Sequence, residues 1–451
     1  MKNSLYSKTK TFPLTEGGHD CVGGDSTDRQ GNLFSSLNLP EVITLDNGLR
    51  VVMEDIPFVR SVSFGIWVKN GSRNEDKSTN GISHFIEHML FKGTERRSAK
   101  DIADAMDEIG GQVNAYTSKE YTCYYTRTLD THFDVALDVL SDMFFNARFD
   151  QADIKKECNV ILEEISMYED TPEDIVHDLL QQGVYKDGSL GLSILGTPES
   201  IGAFDHSRFK KYMSTHYIPE RTVISVAGNL KNCDAIKKIK EAFRGFAAAS
   251  DKGENNGGQY VPTFIKKEKD IEQVHVCVGF PGIAAGTPEA YTMAAISTML
   301  GGGMSSRLFQ KIREEHGLAY AVYSYHTGFA DTGLFAIYAA LNPAQTEDVM
   351  TLILAEVRRL FSEKINKEQL NKTKEQLKSN YILSLESVSS RMNSIGRNLL
   401  MLNKVVTADE LISRIDEIDL DGFYNLCEKV FKMDQMSVAL VGNTEFEINV
   451  K

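Results

Sequence analysis

The stretch from Gly81 to Gly93, GISHFIEHMLFKG, most constrains what this chain can fold into. As a helix, it places His84 and His88 four residues apart on one face, with Glu87 beside them. Two imidazoles at this spacing can bind one zinc ion, while the glutamate acts as a base on water without binding the metal. The same side chains could instead form a solvated polar face. Because the flanking residues are apolar, we expect a buried helix whose polar groups need a partner.

A zinc site that keeps a position open for water needs a third protein ligand. The segment 150–168 predicts a helix in which Glu157 and Glu164 lie within an apolar stripe, whereas Glu163 points to solvent. A carboxylate on a buried stripe is costly unless a cation or strong donors neutralise it. We therefore predict Glu164 as the third ligand and Glu157 as a carboxylate that supports the ligands from behind. Two structural salt bridges at the edge of the stripe are the alternative.

Three runs of sequence carry a resemblance to a known family: GISHFIEHMLFKGT, GGQVNAYTSKEYTCYYTRTL and ECNVILEEISMYEDTPEDIVHDLL. In this order they resemble the zinc peptidases related to pitrilysin, insulin-degrading enzyme and the mitochondrial processing peptidase. The similarity is greatest to the short, two-domain branch that includes the β subunit of the processing peptidase and its bacterial relatives. The resemblance implies that His84, His88 and Glu164 bind one zinc ion per chain. It also implies that Glu87 is the general base and Glu157 the outer glutamate.

The resemblance further implies roles for four residues outside the metal site. Asn114 and Ala115 lie on the predicted strand NAYTS, which would bind the substrate backbone as an added strand. An ordinary edge strand is the alternative. Arg313 and Tyr320 are seven residues apart, across a predicted helix end, and would bind the substrate near the scissile bond and stabilise the tetrahedral intermediate. A surface arginine and a core tyrosine are the alternative for this pair.

The sequence also predicts the domain organisation, because the second half repeats the first. The strand-like runs TVISVAGN and MSVALVGN are separated by about 214 positions, which indicates duplication of one unit. We expect an α+β fold of two homologous domains, each a mainly antiparallel sheet covered by helices, with the metal only in the first. The predicted parts are a flexible leader, a catalytic zinc-binding domain, a linker and a metal-free domain that contributes substrate-binding residues. Their boundaries are 1–39, 40–247, 248–262 and 263–451.

Local signals predict several individual elements. Asp46-Asn47-Gly48 is a strong hairpin signal between two short strands. Ser98 precedes a helical pattern as an N-cap. Segments 61–69, 112–118 and 121–129 read as strands, and helices are expected over 131–146 and 151–169.

Composition restricts the classes of partner and the compartment. With 451 residues the chain exceeds what one core usually organises, and its net charge of −14 argues against nucleic acid. The sequence contains no run of 18 or more apolar residues, so no membrane span is predicted. Six scattered cysteines without CxxC spacing are typical of reduced thiols. We expect a bacterial cytoplasmic protein, with the mitochondrial matrix as the second choice.

These observations predict a zinc metalloendopeptidase that hydrolyses peptides or unfolded segments inside a closed chamber, and a processing role is open. Two domains enclose only part of such a chamber, so we expect a homodimer or a heterodimer with a related subunit. One alternative is a non-catalytic assembly subunit of the same family, against which the complete set of His84, Glu87, His88 and Glu164 counts. The other is a non-haem iron oxygenase, since two histidines and one carboxylate also describe its metal site. Such ligands usually lie on a β-barrel, and Glu87 would have no role there.

Overall fold

The computed structural model of the protein describes residues 39–231, 233–247 and 256–447. The predicted leader lies outside the described residues except for its last position, as do residues 248–255 of the predicted linker. Residues 256–262 form neither helix nor strand. Within the described parts, no helix has both the length and the apolar character needed to cross a membrane.

The first sheet has six strands among the described residues. They are β1 Glu41–Thr44, β2 Arg50–Asp55, β3 Ser61–Val68, β4 Gln112–Thr117, β5 Thr122–Leu129 and β6 Thr222–Gly228. Their spatial order is β1-β2-β6-β3-β5-β4, and every pair is antiparallel except β2 with β6. The predicted hairpin is confirmed, since β1 and β2 pair around a turn in which Gly48 has a φ of 86°. Strand β4 forms one edge of this sheet.

In the part of the chain that the structure describes, the second sheet has five strands. They are β7 Phe264–Lys267, β8 Val274–Pro281, β9 Ala319–Gly328, β10 Gly333–Leu341 and β11 Ser437–Val441. Their order, β7-β11-β8-β10-β9, repeats the order β2-β6-β3-β5-β4 of the first sheet, and again only the outer pair β7 and β11 is parallel. The predicted α+β fold built from a duplicated unit is therefore confirmed. Strand β9 takes the edge position that β4 takes in the first sheet.

Helices cover both sheets. They are α1 Ile82–Leu90, α2 Ala99–Asp107, α3 Phe133–Asn146, α4 Gln151–Glu169, α5 Pro172–Val184, α6 Pro198–Ile201, α7 His206–His216, α8 Ala235–Ala242, α9 Glu289–Gly301, α10 Thr346–Ser362, α11 Lys367–Ser384, α12 Val388–Leu402, α13 Ala408–Asp416 and α14 Leu420–Val430. A π-helical segment, Phe309–Glu315, precedes β9. Ser98 caps α2 as predicted, because its hydroxyl accepts a hydrogen bond from the backbone N–H of Asp101.

Two helices cross between the halves of the chain. Helix α5 packs on β8 and β11 of the second sheet, and α12 packs on β2, β3 and β6 of the first. Gly396 permits the close approach of α12, because a Cβ atom there would lie 2.3 Å from Nε1 of Trp67. Each sheet is thus covered on one face by a helix from the other half, which periodicity along the chain does not reveal. The boundaries 40–247 and 263–451 stay predictions, and this exchange is an added feature of the packing.

Candidate metal centre

Helix α1 is held at its N-terminus by a buried carboxylate. Oxygens of Glu75 accept hydrogen bonds from the backbone N–H groups of Gly81, at 2.7 Å, and Ser83, at 2.9 Å. These are among the donors that a helix leaves unpaired in its first turn, and a negative charge is favourable there. Burial raises the pKa of Glu75, and these hydrogen bonds oppose the rise. Sequence reasoning missed Glu75, because no capping pattern places a carboxylate six residues ahead of the helix.

The expected burial of α1 is confirmed. His84 is only 7% exposed, and the apolar residues on both sides of it belong to the core of the first half. Glu87 and His88 are the two partly exposed positions of the helix. Helix α1 is therefore accessible to solvent only at Glu87 and His88.

Three side chains converge beside α1, and we call His84, His88 and Glu164 the His–Glu cluster. Nε2 of His84 lies 3.2 Å from Nε2 of His88, and each of these nitrogens lies 3.7 Å from Oε2 of Glu164. Ligand atoms at zinc bond lengths around a tetrahedral ion are separated by about 3.4 Å. Within the described ranges no other group of three or more His, Cys, Asp or Glu side chains converges in this way. The donor types and spacings therefore fit a zinc ion with one position left open.

The electrostatics of His84 suit a metal ligand. Burial, together with the nearby charge of His88, lowers the pKa of His84 to about 3, so its imidazole is neutral near pH 7. Metal binding requires this neutral form. Nδ1 of His84 is buried and makes no hydrogen bond with any described residue. Among these residues, the ring has a short polar contact only through Nε2, with His88.

Glu157 lies behind the cluster and contacts His88, and its supporting role stays a prediction. Its Oε1 lies 2.8 Å from Nδ1 of His88, and its Oε2 lies 2.6 Å from Nζ of Lys92. Burial opposes ionisation, yet the hydrogen bonds with His88 and Lys92 hold the pKa of Glu157 below its ordinary value. A carboxylate on the second nitrogen of a ligating histidine orients the ring and increases its basicity. Lys92, one turn after His88, was missed although the helical spacing could have indicated it.

The predicted base, Glu87, points to the strand beside α1. The hydroxyl of Thr117 on β4 donates a hydrogen bond of 2.5 Å to Oε2 of Glu87. Burial raises the pKa of Glu87, and this hydrogen bond opposes the rise. Glu163 is exposed on the far side of α4, as expected, while Glu164 is partly buried. Sequence reasoning missed Thr117, because the contact joins residues thirty positions apart.

Asn114 and Ala115 lie on the open edge of the first sheet. Strand β4 pairs with β5 on one side, and no described strand pairs with its other side. The N–H of Ala115 faces outwards and donates to the side-chain oxygen of its neighbour Asn114 at 2.8 Å. An edge with exposed donors can accept an additional strand. Their role in binding substrate stays a prediction.

Arg313 and Tyr320 are brought together with each other. The guanidinium of Arg313, in the π-helical segment, lies 5.1 Å from the ring centre of Tyr320 at the start of β9. Tyr320 is 75% exposed, so the alternative of a core tyrosine is wrong. Among the described residues, no hydrogen bond or ion pair connects this pair to the His–Glu cluster. Tyr320 thus lies on β9, the edge strand of the second sheet that corresponds to β4 in the first, and Arg313 lies in the segment just before it.

Comparisons with known proteins agree on one family. The family model described as insulinase, peptidase family M16, matches residues 50–198, and the model described as peptidase M16 inactive domain matches residues 203–377. The uncharacterized zinc protease YmxG of Bacillus subtilis is 45% identical over 395 residues, which cover 87% of this chain and 95% of that protein. An uncharacterized zinc protease of Streptomyces coelicolor is 40% identical over 386 residues, covering 84% of each.

Solved structures show the same fold. A protease from Helicobacter pylori superposes with a TM-score of 0.85 at 22% identity, covering 90% of this chain and 100% of that one. A chain from Pseudomonas fluorescens, described as a peptidase M16 inactive domain, has a TM-score of 0.84 at 17% identity, covering 91% and 100%. At these identities the similarity establishes the architecture alone. The first family model spans the residues that form the His–Glu cluster, together with Glu87 and Glu157.

Proposed function

Because the chain belongs to peptidase family M16, the insulinase family, we propose that it is a zinc-dependent endopeptidase that cleaves peptides or unfolded segments. The convergence of His84, His88 and Glu164 at distances that suit one zinc ion carries this proposal. The names of the bacterial relatives, which describe zinc proteases, support the choice of metal. Their bacterial origin and the five unpaired cysteines of the described chain support a cytoplasmic location.

In the proposed reaction, different residues of the chain have different roles. A zinc ion in this site supplies Lewis acidity and makes water more acidic. Glu87 takes the proton from the attacking water and returns it to the leaving amine. Its Oε1 makes no hydrogen bond with any described residue, whereas Oε2 is held by Thr117, so one oxygen is available for the proton. Glu157 and Lys92 keep the ring of His88 in the ligating orientation.

The substitution Glu87→Gln tests the assignment of the base. Since the amide cannot accept a proton, turnover should fall by about 10²- to 10⁴-fold while zinc stays bound. Zinc content and peptide cleavage are measured on the same preparation. Glu163→Gln, the same change on the exposed face of α4, is the matched control and should leave both unchanged. Full activity in Glu87→Gln would refute the assignment.

A quenched fluorescent peptide library tests the activity itself. Cleavage should be lost on adding a chelator and restored by added zinc, since the ligands remain in place without the metal. The cleaved sequences then define the substrate class. If the zinc-loaded protein cleaves no peptide, alone or with a related subunit, the endopeptidase proposal fails and the assembly-subunit alternative is favoured.

We further propose that cleavage takes place in a chamber formed by two chains, with Arg313 and Tyr320 of one chain acting at the zinc of the other. Support comes from the exposure of Tyr320 and from the lack of a described contact between this pair and the His–Glu cluster. A cation and a phenol can bind substrate and stabilise a developing oxyanion. The proposal leaves open whether the second chain is identical or related.

Mixing two inactive variants tests action across the interface. His88→Ala lacks the metal site and Arg313→Ala lacks the proposed substrate-binding cation. If each site combines residues from both chains, a mixture regains part of the activity, because some dimers contain one intact site. A mixture as inactive as its components would refute action in trans. Sedimentation of the same mixture shows whether dimers form at all.

A further inference from the structure

Thr117 connects two functional parts of the site that sequence reasoning treats separately. It lies on β4, three residues after Asn114, which places it about 10 Å along the strand proposed to bind substrate. Its hydroxyl donates a hydrogen bond of 2.5 Å to Glu87, the proposed base. Strand β4 therefore provides the edge to which a substrate backbone can add and also contacts Glu87, the proposed base.

The orientation of β4 explains how one strand can do both. Successive side chains of a strand point to opposite faces. Ala115 packs against the core that contains α1, so Thr117, two residues later, points to the same face. No described strand pairs with the outer edge of β4, where a substrate can add, and its inner face contacts α1.

The hydroxyl of Thr117 lies beside a second hydrogen-bonded hydroxyl. Thr122, its partner across the β4–β5 pair, donates its hydroxyl proton to the backbone oxygen of Asn70 at 2.9 Å, and its Oγ1 lies 3.4 Å from Oγ1 of Thr117. Asn70 in turn donates to the hydroxyl of Ser83 on α1 at 3.0 Å. A network whose members bond each other restricts every one of them. The carboxylate of Glu87 is therefore held by Thr117, next to hydrogen bonds that connect β5 with α1.

We propose that Thr117 is a positioning residue that fixes the carboxylate of Glu87 in the frame of the substrate-binding strand. The hydrogen bond occupies Oε2 of Glu87 and directs Oε1 to the open side of the His–Glu cluster. A substrate strand added to β4 then has its scissile bond at a set distance from the base. This inference rests on the proposed function, because it gives Thr117 a task in peptide hydrolysis.

The variant Thr117→Val removes the hydroxyl and keeps the shape of the side chain. Since a small displacement of a catalytic group can cost about 10²-fold, kcat should fall about 10- to 100-fold. KM and zinc content should stay within about twofold, because neither backbone binding nor a ligand is changed. Thr117→Ser restores the donor and should recover most of kcat.

Thr126→Val is the matched control. Thr126 lies on the same face of the neighbouring strand β5, is buried, and its hydroxyl has no hydrogen-bond partner among the described residues. The same chemical change there should leave kcat unchanged. Equal losses in Thr117→Val and Thr126→Val, or a Thr117→Ser variant as impaired as Thr117→Val, would assign Thr117 a structural role and overturn the inference.

A second measurement needs neither zinc nor activity. On the metal-free protein, urea midpoints are compared for Thr117→Val, Glu87→Ala and the double variant. A direct hydrogen bond predicts that the double variant loses less than the sum of the single losses, whereas additive losses would overturn the contact. If the wild-type protein cleaves no peptide, the proposed function fails and the catalytic part of this inference fails with it, while the midpoints still decide the contact.

Discussion

Histidines pack beside both sheets of the molecule, but their surroundings differ. In the first half, the His–Glu cluster places two imidazole nitrogens 3.2 Å apart with a carboxylate oxygen nearby. Against the second sheet, a group that we call the His–Tyr cluster consists of His177 on α5, which comes from the first half of the chain, with Tyr323 and Tyr325 on β9. Nδ1 of His177 lies 2.7 Å from the hydroxyl of Tyr325, and Nε2 lies 3.1 Å from that of Tyr323.

Burial alone does not separate the two clusters. It lowers the pKa of His84 to about 3 and that of His177 to about 4, so both rings are neutral near pH 7. The hydrogen bonds do separate them, because both nitrogens of His177 have a hydroxyl partner whereas Nδ1 of His84 has none among the described residues. The complete hydrogen bonds of His177 fit a structural role, whereas the ring of His84, which faces another imidazole, fits the proposed metal site.

Zinc stoichiometry gives the largest expected contrast between the clusters. His88→Ala removes a ligand, so bound zinc should fall from one per chain to near zero and activity by more than about 10³-fold. His177→Gln removes an imidazole of similar burial and should keep one zinc per chain. Elemental analysis of both variants, with circular dichroism to verify folding, makes the comparison. Zinc retained in the first or lost from the second would refute the distinction.

The sequence could identify the His–Glu cluster because its evidence is local. His84, Glu87 and His88 share one helical turn, and the stripe of α4 singles out Glu157 and Glu164 from Glu163. The roles of these residues rest on geometry and are tested by the experiments above. The hairpin at Gly48 and the cap at Ser98 were predicted correctly for the same reason, since their signals span four residues or fewer.

The sequence could not identify contacts between distant segments. Thr117 meets Glu87 only because β4 lies beside α1, and nothing in either segment encodes that neighbour. The exchange of α5 and α12 depends on both sheets being formed. His177 likewise has no local signature, because its tyrosine partners lie about 150 positions further along the chain. Tertiary packing, rather than propensity, decides such contacts.

The next largest effect concerns acid stability in the second half. Nε2 of His326 on β9 accepts a hydrogen bond from the N–H of Ile283 at 2.9 Å, and burial lowers its pKa to about 4. In the unfolded chain, the imidazole of His326 is protonated below about pH 6.5. The stabilisation of the folded protein by the neutral, hydrogen-bonded His326 is therefore complete above that pH and is lost as the pH falls towards 4. His326→Gln keeps an acceptor without titrating. Between about pH 7.5 and pH 4.5 the variant should therefore lose about 2.5 kcal/mol less stability than the wild type.

Urea midpoints at both pH values measure this difference. The metal-free protein is used, so that loss of zinc in acid does not contribute. Parallel pH dependences for variant and wild type would show that His326 is not protonated on unfolding in this range.

A smaller effect tests the support behind the His–Glu cluster. Glu157→Gln removes the charge that lies between His88 and Lys92, and zinc affinity should fall about 10- to 100-fold, or about 1.4 to 2.7 kcal/mol. Competition with a zinc-binding dye measures the affinity. Glu163→Gln, the same change on the exposed face of α4, should leave it unchanged. Unaltered affinity in Glu157→Gln would mean that the ligands need no such support.

The smallest effect tests whether the His–Tyr cluster is only structural. Tyr325→Phe removes one hydroxyl partner of His177, and stability should fall by about 1 kcal/mol. The loss stays small because Sγ of Cys277 lies 3.2 Å from the same nitrogen and offers a weaker replacement. Tyr125→Phe, on β5 of the first sheet, is the control, since its hydroxyl has no hydrogen bond among the described residues. Zinc content and kcat should be unchanged in both variants. A drop in zinc content or kcat for Tyr325→Phe alone would show that the His–Tyr cluster takes part in function. The distinction between it and the His–Glu cluster would then be lost.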